Sequence, residues 1–308
     1  MFRLSCLLLT AIFVSAGIAD GEEAKLSALI VDGHSNHHWK ETTPLLKRAL
    51  EASRRFTVEV ETAPKKHSEL AQFKPKFSAH PVVILNYNSD GSVTRTPDAD
   101  WSKATQKALV DYVSQGGGLV IVHAANNSFP HWKAYNEMIG LGGWGHRNEK
   151  WGPYVYYKKD KLIRDNSAGK GGWHGPEHEF QIVVRDHEHP ITRGMPRAWM
   201  HTKDELYSHL RGPAKNMTVL ATAFSPRSKA GRDVHEPLIM TIAYGKGRVF
   251  HLAIGHEEAS RCAGFVAFLQ RGTEWAATGK VTIPIPRDFP AADKARESSI
   301  FANDAKEK

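Results

Sequence analysis

Two stretches constrain the fold more than any other: "PVVILN" (Pro81–Asn86) and "LVIVHA" (from Leu119) are apolar runs of strand length without polar alternation. A strand with one wet face alternates apolar and polar residues, so an unbroken run predicts a strand covered on both faces. Parallel sheets sandwiched between helices supply that environment. The surrounding order agrees. A strand is predicted at Ser27–Val31, then a helix over Pro44–Arg54 with Thr42 or Thr43 as cap and Pro44 at its first position. "FTVEV" (Phe56–Val60) alternates as a short strand, and a helix from about Asp100 to Ser114 ends at Gly116–Gly118 before the second run. This β-α-β rhythm implies an α/β fold with a doubly wound, mostly parallel sheet and helices on both faces.

Beyond Phe129 the pattern loosens into a stretch rich in Trp, Gly and His up to Lys170. Strands are predicted at Glu179–Val184 and Met217–Phe224, and "PLIMTIAYGKGRVFHLAIGH" reads as a hairpin turning at "YGKG". A helix from Ala259 to Ala277 closes the core. Residues 291–308 are rich in Ala, Lys and Asp and are expected to be a disordered tail.

The first residues, "MFRLSCLLLTAIFVSAGIADGEE", place Arg3 before an apolar stretch and small residues Gly17 and Ala19 at cleavage positions. Residues 1–19 are therefore expected to be a signal peptide, and the protein to be secreted or periplasmic, with no membrane association after cleavage. Of the two cysteines, Cys6 and Cys262, cleavage removes the first, so no internal disulfide is available and the fold rests on its core. The formal charge is +8, but the basic residues are scattered without a dense basic block. Nucleic acid is accordingly not an expected partner.

Ligands of open parallel sheets bind outside the carboxyl ends of the strands. There the chain places "GHSNHHW" with His34, Asn36, His37, His38 and Trp39, then Asn86 with Tyr87 and Asn88, His123 with Asn126 and Asn127, and Gly255 with His256. Strand after strand ends in His or Asn, where a structural loop would favour Gly, Asp, Ser or Pro. A shared pocket is expected. No His-Glu-x-x-His, Cys cluster or Asp-rich loop is present, so whether the imidazoles share a divalent metal ion or only hydrogen-bond a ligand stays open. Asp204 and Glu205 in "KDELY" are either a helix start or a source of one inward-facing acid or base.

Taken together, "DGHSNHHW", "GGGLVIVHAANNSF", "GGWGHR", "HGPEHEF", "DHEHPITRGMP", "DELY", "YGKGRVFHLAIGH" and "RGTEWAATG" resemble the trehalose-utilisation (ThuA-like) family over about Leu26 to Pro290. The resemblance implies a single domain (26–290) with a flavodoxin-like fold, similar to the class I glutamine amidotransferases. Those enzymes use a cysteine nucleophile at a strand-to-helix elbow. The matching elbow reads "VIVHAAN", with His123 in place of any thiol, which excludes glutamine hydrolysis by that route.

The family's association with sugar catabolism implies a small-molecule sugar or glycoside partner, oxidised at C3. A 3-keto group acidifies the C2 proton, so a base, an acid and an oxyanion stabiliser suffice for cleavage or isomerisation. His123 and His256 are the expected acid and base, with Asp204 or Glu205 orienting them or sharing the proton. His34, Asn36, His37, Asn86, Trp144 and His146 are the expected substrate-binding residues. The competing readings are a non-catalytic carbohydrate-binding protein on the same scaffold, and a metal-dependent hydrolase of another substrate.

Overall fold

The computed structural model describes residues 24–89 and 100–304; the expected signal peptide lies outside them. The strands are β1 (Leu26–Asp32), β2 (Phe56–Thr62), β3 (Val82–Leu85), β4 (Gly118–Val122), β5 (Tyr154–Lys158), β6 (Lys161–Asp165), β7 (His178–Val184), β8 (Ala198–Asp204), β9 (Met217–Ser225), β10 (Val234–Tyr244) and β11 (Gly247–Leu252). The helices are α1 (Trp39–Ala52), α2 (His67–Leu70), α3 (Lys103–Ser114), α4 (Lys133–Ile139) and α5 (Ala263–Thr278). The sheet order is β2-β1-β3-β4-β11-β10-β9-β7-β8. The five strands β2-β1-β3-β4-β11 are mutually parallel, as expected. From β11 onward every pairing is antiparallel, beginning with the β10–β11 hairpin read from "YGKG".

The unbroken runs are buried on both faces: every residue of β3 and β4 is buried. On β11, Phe250 packs against Gly272 of α5, and the next residue, His251, points to the opposite face and bonds the Ile139 carbonyl of α4 at 2.8 Å. Helices thus cover both sides. The antiparallel half curls around α5. Trp199 of β8 stacks on Phe268, with ring centroids 5.9 Å apart, and Gly264 of α5 leaves room for its indole. The curl returns the end of β8 to the end of β11, although three strands separate them in the sheet order.

Three local expectations are corrected. Helix α1 begins at Trp39, so Pro44 lies inside it and His38 occupies the cap position. Thr42 and Thr43 are no caps; their hydroxyls accept hydrogen bonds from Asn86 Nδ2 at 2.9 and 3.0 Å. The carboxylates of "KDELY" do not start a helix, because Asp204 is the last residue of β8. The stretch beyond residue 290 is packed up to residue 304. Phe301 is fully buried, with the Arg48 and Arg261 guanidinium groups over its ring and Asp304 ion-paired to both arginines. One aromatic anchor and two cations outweigh the polar composition of this stretch.

His251 is fully buried, accepts from Asn126 at Nε2 (3.1 Å) and donates from Nδ1 to Ile139. Burial pushes its pKa down to about 4, only partly offset by the carbonyl bond. Because the folded value lies below the unfolded one of about 6.5, its contribution is intact above pH 6.5 and fades as pH falls toward 4. The full loss amounts to roughly 3 kcal/mol. Urea melts at pH 7 and pH 4 are expected to show this loss in the wild type and a shallower acid slope in His251→Gln. Equal slopes would assign the acid sensitivity elsewhere.

Candidate active site

The carboxyl ends of β1, β4, β8 and β11 bring four groups together. Gly33 makes the first loop possible: with φ at +120°, its Cα approaches Ala63 so closely that a Cβ would meet the Ala63 carbonyl oxygen at 2.4 Å. The chain then delivers His37. At the end of β4, His123 holds φ at +44°, a left-handed conformation that a non-glycine residue adopts at an energetic cost. Its imidazole is thereby turned into the site. At the end of β11, Gly255 (φ +105°) lies against the Phe265 ring, where a Cβ would approach to 2.3 Å, and the next residue is His256. Glu205 follows the last residue of β8.

Glu205 is the hub. Its Oε2 lies 3.3 Å from His123 Nε2, and its Oε1 lies 3.4 Å from His174 Nε2 and 3.9 Å from His256 Nε2. The His37 ring centroid is 4.9 Å from that of His123 and 4.7 Å from that of His256. Burial alone would raise the Glu205 carboxyl, but the His123 hydrogen bond and the charges of His123, His174 and His256 hold it at about 2. It is therefore ionised throughout the ordinary pH range. His37 moves the other way: burial and then the neighbouring His123 push it down to about 3, against the pull of Glu205. Its ring is neutral at neutral pH and can accept a proton only from a strong acid.

The predicted site residues separate by function. His37, His123, His256 and Glu205 converge. Asp204 does not join them as an acid or base: it is completely buried, and its oxygens take bonds from His201 Nε2 (2.7 Å) and from the amides of Gly255 (2.7 Å), Glu205 (2.7 Å) and His256 (3.2 Å). Burial would raise its carboxyl, yet the His201 bond and charge, together with His123 and the Gly255 amide, keep it low. Four donors saturate it, so Asp204 fixes the backbone that carries Glu205 and His256. His34 is buried with Nε2 on the Pro64 carbonyl (3.0 Å), and Asn86 is committed to Thr42 and Thr43; both brace loops and face no ligand with those atoms. Asn36 supports His37, its amide 3.0 Å from Nε2, and is itself held by Asn88 at 2.7 Å. His38 pairs with Glu257 at 3.1 Å, and the same Glu257 oxygen lies 3.6 Å from His256 Nε2, so His38 borders the cluster through it.

Trp144 borders the cluster, its ring 4.7 Å from Tyr207 and 5.8 Å from His174. It also lines a cleft of about 490 Å³ with His146, Lys170 and Trp173. His146 is exposed on that cleft rather than inside the histidine cluster.

Three contributors were not singled out from the sequence. Tyr207 places its hydroxyl 3.0 Å from His123 Nε2, His174 contacts Glu205, and Glu177 lies 3.4 Å from His256 Nδ1. Tyr207 and Glu205 are two residues apart in an extended segment, a spacing that puts both side chains on one side. That period in "DELY" was the available signal.

His37, Glu205 and His256 can each offer a ligand atom, all within 4.8 Å of one another. The cluster as a whole can hold and relay a proton between imidazoles around a fixed negative charge.

The family model for trehalose utilisation (ThuA) matches residues 27–276. A solved ThuA-like protein from Parabacteroides merdae is 40% identical, covers 90% of this chain and 99% of its own, and superposes with a TM-score of 0.84. A ThuA-like protein from Bacteroides uniformis, 20% identical over 86% of this chain and 96% of its own, has a TM-score of 0.53 and shares the fold. No curated protein matches the chain. With the family model spanning most of its length, the chain belongs to the trehalose-utilisation (ThuA) family.

Proposed function

We propose that this protein is an exported sugar-catabolism enzyme that cleaves or isomerises glycosides oxidised at C3, using histidine acid–base chemistry. The observation that carries the reading is one ionised carboxylate, Glu205, contacted by three imidazoles, those of His123 and His256 at strand ends and that of His174 in the segment before β7, beside an aromatic-walled cleft. Membership of a sugar-utilisation family supports the substrate class.

The 3-keto group makes C2–H acidic. One imidazole removes that proton, the enolate forms, and the C1–O bond breaks as a second imidazole protonates the departing glycosidic oxygen. His123 and His256 fill these two roles, since both rings face Glu205 and their centroids are 5.6 Å apart. Glu205, ionised at neutral pH, stabilises whichever imidazolium forms. The Tyr207 hydroxyl fixes His123, and Trp144 offers a face for the ring. Water then adds across the C1–C2 double bond, returning a proton to C2 and hydroxide to C1.

The experiment is release of aglycone from a 3-keto-glucoside by the purified protein, with the unoxidised glucoside as control. Release from the oxidised substrate alone is the expected result. Binding of the glycoside with no turnover or isomerisation would contradict the enzyme reading and leave a carbohydrate-binding protein.

A further inference from the structure

We propose that His37, Glu205 and His256 form a binding site for one divalent transition-metal ion of the zinc class. Two imidazoles and one carboxylate are a donor set that leaves an open position for water or substrate on such an ion. The three ligand atoms lie within 4.8 Å of one another. An ion bonded at about 2.0–2.2 Å in tetrahedral geometry spaces its ligands by roughly 3.4 Å, so small side-chain rotations close the site.

A second, independent feature is the shell behind the ligands. Metal-binding histidines usually donate the N–H of the ring nitrogen that does not bind the ion to a carboxylate, a carbonyl or water. His256 Nδ1 faces the Glu177 carboxylate at 3.4 Å, leaving Nε2 turned toward Glu257 at 3.6 Å and Glu205 at 3.9 Å. At His37 the contact runs the other way: Nε2 accepts from Asn36 Nδ2 at 3.0 Å while Asn36 Oδ1 is held by Asn88 at 2.7 Å, so Nε2 is the unprotonated nitrogen and the ion displaces the Asn36 bond there. Glu205 is braced from behind as well, because its own amide donates to Asp204, and Asp204 also holds the His256 amide. The three donors come from beyond the ends of β1, β8 and β11, and the buried aspartate ties the last two together. His123 stays outside the set, with Nε2 shared between Tyr207 and Glu205, and so remains free to move protons beside the ion.

The site's catalytic meaning rests on the proposed function: with the ion bound, His256 is a ligand, His123 alone takes the C2 proton and returns it to the departing oxygen, and the cation would polarise the C3 carbonyl oxygen and stabilise the enolate. The binding claim does not rest on it. The test is metal content and affinity of the purified full chain, stripped with chelator and reloaded with Zn²⁺ or Co²⁺, read by elemental analysis and by the visible spectrum of Co²⁺. One retained ion per chain is expected. His37→Ala and His256→Ala should each weaken binding by at least about 100-fold, and Glu177→Gln by about 10-fold. His131→Ala, an exposed histidine elsewhere, should bind as the wild type does. Circular dichroism of the metal-free variants shows whether they are folded. Failure of the wild type to retain either ion, or retention by a folded His37→Ala/His256→Ala double variant, would overturn the site. An ion bound without any activity on 3-keto glycosides would keep the site and remove the sugar reading.

Discussion

Glu205→Gln is expected to lower aglycone release from a 3-keto glycoside by about 10³-fold while leaving the protein folded. The substitution keeps the shape of the side chain and removes its charge. That charge touches His123, His174 and His256, at 3.3, 3.4 and 3.9 Å. Without it, an imidazolium formed in the reaction is no longer stabilised, and one of the two oxygens that the imidazoles face becomes an NH2 donor. Losses from removing general acid–base machinery are typically 10²–10⁴-fold. Because Glu205 is already ionised far below neutral pH, its own titration does not enter, and its replacement should depress the rate across the whole neutral range. Rates measured from pH 6 to 8 check this. A variant within a few-fold of wild type would remove Glu205 from the chemistry.

The second large effect is on stability. Asp204→Ala is expected to cost about 3–5 kcal/mol, the range for breaking a buried ion pair from one side. Both partners are completely buried. Burial would lower the His201 imidazole, but the Asp204 bond and the adjacent Cys262 raise it, so the pair is charged. Removing Asp204 leaves His201 unpaired and strips acceptors from the amides of Gly255, Glu205 and His256. Each orphaned amide adds to the cost. Typical domains have only about 5–15 kcal/mol to lose. Urea denaturation should show the midpoint falling with an unchanged slope, and activity should fall with it because the His256 loop is released. A change below about 1 kcal/mol would show that the pair is no keystone.

Much of this was legible in the residues, for a physical reason. Strands covered on both faces need unbroken apolar runs, so β3 and β4 announced themselves, and the carboxyl-edge rule then pointed to His37, His123 and His256. Elements on the surface were harder. The β5–β6 hairpin turns through Lys159 and Asp160, both with positive φ, instead of the Asn-Gly or Asp-Gly that normally signals such a turn. Strand β8, "AWMHTKD", looks half polar because it buries His201, which the buried Asp204 neutralises. Periodicity cannot register a residue that becomes core only through its partner. The same limit applies to His34 and Asn86. Their residue types suited a pocket, but Pro64, Thr42 and Thr43, distant in sequence, claim their polar atoms. Tail packing by Phe301 was hidden in the same way, since its arginine partners lie at positions 48 and 261.

The claim that everything else depends on is removal of the C2 proton from a 3-keto glycoside by the histidine cluster. Turnover in D₂O, with NMR of the sugar product, tests it most directly. The account predicts deuterium at C2 of the released sugar, beyond the exchange seen without enzyme, and its loss in His123→Asn. Aglycone release with the original C2 hydrogen retained would contradict it.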